Sequence, residues 1–145
     1  MEQKYFEVSI KLDKTQENGL TKKVTEKYLI EAMSFTEAEA RAVEYITPYV
    51  SGEFDITAIR RTKIAEIFES KDERADRFYS AKVAFITVDE RTAVEKRVLQ
   101  QVIVRATDFD DARNVLQDGM SGSMADWEKA QLSETNIIDL VPYLK

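Results

Sequence analysis

Any chemistry in this 145-residue chain has to come from carboxylates, lysine, tyrosine and serine, because it contains no histidine and no cysteine. That removes disulfides, cysteine-containing zinc sites, thiol nucleophiles, Ser-His and Cys-His couples, and the usual proton shuttle near neutral pH. Two carboxylate groups stand out among what is left. Asp108, Asp110 and Asp111 fall within four residues and have the hardness that suits Mg²⁺ or Ca²⁺. They also open a segment with helical spacing, where acids cap free backbone N–H groups and meet the positive end of the helix dipole. Ser34 and Glu37 hold the matching places earlier in the chain, so capping is the expected role and no metal is expected. Glu37 and Glu39 could form an acid–base pair, but residues two apart on a helix point to different sides.

The basic residues form the one pattern that suggests a binding surface. Lys22, Lys23 and Lys27 lie on one predicted strand, Lys96, Arg97 and Arg105 on its counterpart, and Arg60, Arg61 and Lys63 on a third segment. Lys23, Lys27, Arg97 and Arg105 share the strand phase that faces away from the predicted helices. With Tyr5, Phe54, Phe78 or Trp127 for stacking, such a strip would suit single-stranded nucleic acid or a phosphorylated nucleotide. Glu7, Glu26 and Glu31 lie near the same strands, and cross-strand ion pairing is the plainer expectation. The net charge of −6 is spread over both halves, with 10 Lys+Arg against 12 Asp+Glu up to residue 68 and 11 against 15 after it. Neither half is a basic module of the kind that neutralises many phosphates.

The elements that must position these groups occur twice. Residues 4–12 alternate with Phe6, Val8, Ile10 and Leu12 on one side, and residues 77–85 repeat that alternation 73 positions later. Residues 28–35 return at 74 as residues 102–109, and residues 62–68 return at 73 as residues 135–141. Asn18-Gly19 signals a hairpin, whereas the turn at Asp89-Glu90-Arg91-Thr92 has no glycine and is expected to be looser. A helix follows each hairpin, capped by Ser34 or Thr36 in the first copy and by Asp108 in the second. Their apolar stripes are Ala38, Ala42, Ile46 and Tyr49, and Ala112, Val115, Leu116 and Met120. Ser51-Gly52 and residues 119–123 end these helices. Extended segments 54–68 and 127–141 close the copies, with Phe54 and Trp127 in matching core places and the first segment broken near Arg60-Arg61.

The fold class expected is α+β: a tandem duplication of a β-β-α-β unit, with an antiparallel sheet, two helices packed on one face and pseudo-two-fold symmetry. Residues 1–145 would be one domain of two repeats, about 1–68 and 77–145, joined by a charged, solvated connector at 69–76. Leu29, Phe78, Ile86, Leu99 and Ile103, with Ala84, fall on the sheet face opposite the helices and need a cover, either the other repeat or a second subunit.

Several segments carry a family resemblance: Glu17-Asn18-Gly19, Lys22 to Glu26, Ser34-Phe35-Thr36-Glu37-Ala38-Glu39-Ala40-Arg41, Ser51-Gly52-Glu53-Phe54 and Met124-Ala125-Asp126. The chain resembles a domain-of-unknown-function family of small bacterial and phage proteins over essentially its whole length. That resemblance implies no catalytic residue or cofactor. The expectation is a non-catalytic cytoplasmic binding or adaptor protein whose partner is a protein or a second copy of itself. Single-stranded nucleic-acid or nucleotide binding is the alternative. No enzyme activity, cofactor or metal is expected, because histidine and cysteine are absent and capping explains the carboxylate clusters; no membrane partner is expected, since no signal-peptide pattern and no apolar run near 18 residues occurs.

Overall fold

The computed structural model describes residues 4–143. It is an α+β structure of two similar halves, each with two long strands, one helix and two shorter strands. The first half contains β1 (Lys4–Thr15), β2 (Thr21–Ala32), α1 (Phe35–Ile46), a 3-10 turn at Thr47–Tyr49, β3 (Phe54–Arg61) and β4 (Ile64–Glu69). The second contains β5 (Arg77–Val88), β6 (Glu95–Ala106), α2 (Phe109–Met120), β7 (Asp126–Glu134) and β8 (Ile137–Val141).

The halves do not each keep their own strands. Two separate four-stranded sheets form, in the orders β3-β1-β2-β8 and β4-β6-β5-β7, so each half contributes its last strand to the other half's sheet. This replaces the expected antiparallel sheet. Both incoming strands run parallel to their neighbours, β8 beside β2 and β4 beside β6. A strand that arrives from the other half is not tied by a tight hairpin to its neighbour, so nothing obliges it to run antiparallel. Two compact units result: one is the chain up to Thr62 plus the segment from Asn136 onward, the other is Lys63–Thr135. The break in the closing segments falls at Thr62-Lys63 and Thr135-Asn136. There Thr62 donates through its N–H and hydroxyl to the Tyr5 carbonyl, and Thr135 does the same to Phe78.

In the first unit Phe6, Val8, Ile10, Tyr28 and Ile30 bury against Ala38, Ala42 and Ile46 of α1. Alternation in the strands and three-to-four spacing in the helix bring these apolar stripes together. Full burial of each large side chain is worth about 1.5–3 kcal/mol. The second unit repeats this with Tyr79, Val83, Val102 and Val104 against Ala112, Leu116 and Met120. Phe54 and Trp127 are half-buried and pack against their respective cores. Tyr49 departs from the expected stripe and is exposed, because α1 ends at Ile46 and Pro48 draws the chain into the 3-10 turn.

The hairpin turns follow the sequence with one substitution of device. Gly19 has φ +82° between β1 and β2, and the Asn18 Oδ1 accepts from the Leu20 N–H at 3.0 Å. In the second turn Ala93 takes up the positive φ, at 58°. Asp89 closes that loop, its Oδ1 accepting from the N–H groups of Arg91 at 2.8 Å and Thr92 at 3.2 Å. The 70–76 segment is more than a solvated connector. Ala75 is buried, and the Asp72 carboxylate holds Arg74 through Nε at 3.1 Å and Nη2 at 2.9 Å.

Candidate functional site

The capping residues behave as helix chemistry requires. Ser34, rather than Thr36, caps α1 by accepting the Glu37 N–H at 3.1 Å, while Glu37 accepts the Met33 N–H at 3.0 Å. Asp108 caps α2 by accepting the Asp111 N–H at 2.8 Å, and Asp111 accepts from the Thr107 N–H at 3.0 Å. The exchange is reciprocal like a capping box, with the returning bond made to the N–H of the residue before the cap. The Thr107 amide, with help from the Ser70 and Thr107 hydroxyls, holds the Asp111 carboxyl below the ordinary carboxylate range. Asp110 faces Arg113 one turn on, at 3.7 Å.

Most of the basic strip is already engaged. Lys27 and Arg60 both meet Glu7, at 3.6 and 3.2 Å, and Lys23 lies 4.0 Å from Asp13. Arg97 pairs with Glu128 at 2.7 Å, and Arg105 pairs with Glu69 at 3.5 Å while its Nε donates to the Ala75 carbonyl. Arg61 lies over the rings of Phe6 and Phe35, and Arg105 over Phe78. Among the described residues, Lys22, Lys63 and Lys96 make no ion pair. Glu7 of β1 is met by Lys27 of β2 and Arg60 of β3, and Arg105 of β6 by Glu69 of β4, whereas Arg97 of β6 reaches past β5 to Glu128 of β7.

The opposite apolar phase is mostly covered. Leu29, Phe78 and Ile103 are buried, Ile86 is half-buried, and Leu99 remains 54% exposed. Val88 and Val94, at the far end of the β5–β6 hairpin, are about as open as Leu99.

The feature not anticipated from the residues is a groove of about 800 Å³ in the second unit, between β4, the segment after it and α2. Phe68 and Val115 form its apolar side, and Ser70, Asp72, Asp111 and Asp118 are among its polar walls. Glu69 and Lys71 complete the charges there, giving four carboxylates against one ammonium. Arg105 and Arg74 answer Glu69 and Asp72, and the Arg74 side chain draws the Asp72 carboxyl down to about 2. Asp118 makes no ion pair among the described residues.

The groove exists because of what stands at three positions. Phe68 pairs with Val104 as Val141 pairs with Ile30, and α1 and α2 are the same length, so places in the two units correspond. On that register Arg41, Tyr45 and Tyr143 of the first unit match Val115, Gly119 and Ser70 of the second. The first unit fills the space with those three side chains. Arg41 donates to the carbonyls of Glu31 and Pro142, the latter at 3.0 Å, and stacks on the Tyr143 ring with its guanidinium 4.4 Å from the centroid. The Tyr143 hydroxyl donates to Glu37, and the Tyr45 hydroxyl to Asp139 at 2.6 Å. In the second unit Phe68 leans over Gly119, where a Cβ would sit 2.6 Å from its ring. The signal was present in the sequence as the pairs 41/115, 45/119 and 143/70, and it becomes readable only once the strand register aligns them.

Fold and site define an α+β protein of two similar four-stranded units, one with a solvent-open acidic groove and the other with that groove filled by its own chain. The chain belongs to the family described as Domain of unknown function (DUF4494), whose model matches residues 4–143. No curated protein matches the chain. No helix among the described residues is long and apolar enough to cross a membrane.

Proposed function

We propose that this chain is a non-catalytic binding or adaptor protein whose partner is another polypeptide. The observation that carries this reading is the outer end of the β5–β6 hairpin, where Val88, Val94 and Leu99 remain exposed on an otherwise charged surface. Leu99 and Val88 continue the strand phase of Phe78 and Ile103, so the apolar side of the sheet runs on beyond what the chain covers. The alternative, a single-stranded nucleic-acid or nucleotide binder, is weakened by the acids and aromatic rings that engage Lys23, Lys27, Arg60, Arg61, Arg97 and Arg105. In the same reading the protein works in the cytoplasm, consistent with the lack of cysteine. The two halves then descend from a tandem duplication of a β-β-α-β unit with a helix on one face of each sheet, which the constant 73–74 offset supports.

Size-exclusion chromatography with light scattering, with and without single-stranded oligonucleotides at low and moderate salt, tests this. The expected outcome is a concentration-dependent rise in mass that Val88→Glu with Leu99→Glu abolishes, and no response to oligonucleotide. A strictly monomeric protein that shifts with oligonucleotide and loses the shift in salt would transfer the function to Lys63, Lys96 and their neighbours.

A further inference from the structure

We infer that the groove of the second unit is a docking site for an arginine side chain of a polypeptide partner. The inference rests on the polypeptide-binding reading and gives it a second, chemically defined contact. The first unit supplies the template: there the corresponding space is occupied by the guanidinium of Arg41, stacked on Tyr143 and bonded to two backbone carbonyls. In the second unit Val115, Ser70 and Gly119 take the places of Arg41, Tyr143 and Tyr45, so the residues that filled the space are gone. The carboxylate that answered Tyr143 is kept. Asp111 matches Glu37, and like it accepts the amide N–H four residues earlier; its hydroxyl donor is Thr107, where Glu37 has Tyr143.

Charge selects the occupant. Asp118 carries no ion pair among the described residues, and it lines the same groove as Asp111, about two helical turns further along α2. Arg74 lies on the loop with Asp72 and answers that acid alone. A cation entering beside Asp118 gains charge-assisted hydrogen bonds there, with Asp111 adding attraction at longer range, and its planar face can lie against Phe68 as Arg41 lies against Tyr143. A guanidinium suits this better than an ammonium, because it is flat, weakly hydrated and donates in several directions at once.

The test uses the full-length ¹⁵N-labelled protein titrated with an acetylated, amidated Gly-Tyr-Arg-Gly peptide, which carries the phenol and guanidinium that the second unit lacks. Expected are saturable amide shifts at Ser70, Asp118 and Gly119. Binding should be about tenfold weaker when citrulline replaces arginine, since citrulline keeps the shape and loses the charge-assisted bonds. Val115→Arg should close the groove with its own guanidinium and abolish the shifts, and exposed Asp118→Lys, which leaves the core untouched, should weaken binding at least as much as citrulline. No shifts at these amides, equal affinity for the citrulline peptide, or unchanged binding by the Asp118→Lys protein would each overturn the inference. Free L-arginine binding as tightly as the peptide would also overturn it, by removing the polypeptide as the source. None of these results touches the hairpin surface, whose own light-scattering experiment decides the wider reading.

Discussion

Gly119 and Phe68 show how a single pair of residues sets the character of a unit. A methyl group on Gly119 would stand 2.6 Å from two atoms of the Phe68 ring, well inside contact distance. Overpacking of this kind costs about 1–3 kcal/mol, while alanine in place of glycine in a helix returns only about 1 kcal/mol. Gly119→Ala is therefore expected to destabilise the protein. In a Phe68→Val background, which installs the residue found at Val141, the overlap disappears and Gly119→Ala should become stabilising by about 0.5–1 kcal/mol. Chemical denaturation of the four proteins in this cycle measures the coupling, and additive effects would show that the ring and the glycine are not complementary. The pair also explains why the groove could not be read from the chain directly. A glycine near the end of a helical stretch reads as a terminator, and its use as a seat for an aromatic ring appears only when β4 is known to lie beside α2.

The strands and helices themselves were legible. Period-two alternation in residues 4–12 and 77–85, and the apolar stripes of both helices, correctly name most of the buried cores, because local pattern and tertiary burial agree there. What was not legible is the destination of β4 and β8. Ile64 to Phe68 and Ile137 to Val141 are short, mostly apolar runs, and such a run specifies burial without specifying a neighbour. The second hairpin turn is a smaller case of the same limit. Absence of glycine suggested looseness, but the Asp89 carboxylate organises the loop and Ala93 accepts a left-handed backbone at φ 58°, at the place where the first hairpin has Gly19. A left-handed conformation costs a non-glycine residue about 1–2 kcal/mol, of which the extra unfolded-state freedom of glycine returns part. Ala93→Gly should accordingly raise stability by about 0.5–1 kcal/mol, seen as a higher denaturation midpoint with an unchanged slope. A lower midpoint would mean that the Asp89 contacts have removed the strain.

Each compact unit is assembled from both halves of the sequence, so the half of the sequence and the folding unit are different objects. Residues up to 69 contain three of the four strands of the first sheet and one strand of the second; the remainder contains the complement. A fragment ending at residue 73 would lack β8, leaving the edge of β2 along Lys27 to Ile30 without its parallel partner. It would also lack the Asp139 acceptor for Tyr45 and the Tyr143 ring beneath Arg41. An unpaired central-strand edge carrying buried Tyr28, Leu29 and Ile30 is both destabilising and prone to pair with other chains. The fragments 1–73 and 74–145, made separately, are expected to give poorly dispersed amide spectra or to self-associate. Mixed in equal amounts, they should recover the dispersed spectrum of the intact chain, because β4 and β8 can then each reach the sheet that lacks it. Independent folding of either fragment to a native-like spectrum would mean that the exchanged strand is an ornament on a self-sufficient three-stranded unit. Complementation would instead make the reciprocal exchange the element that holds the fold together, and would explain why a chain of two similar halves keeps both.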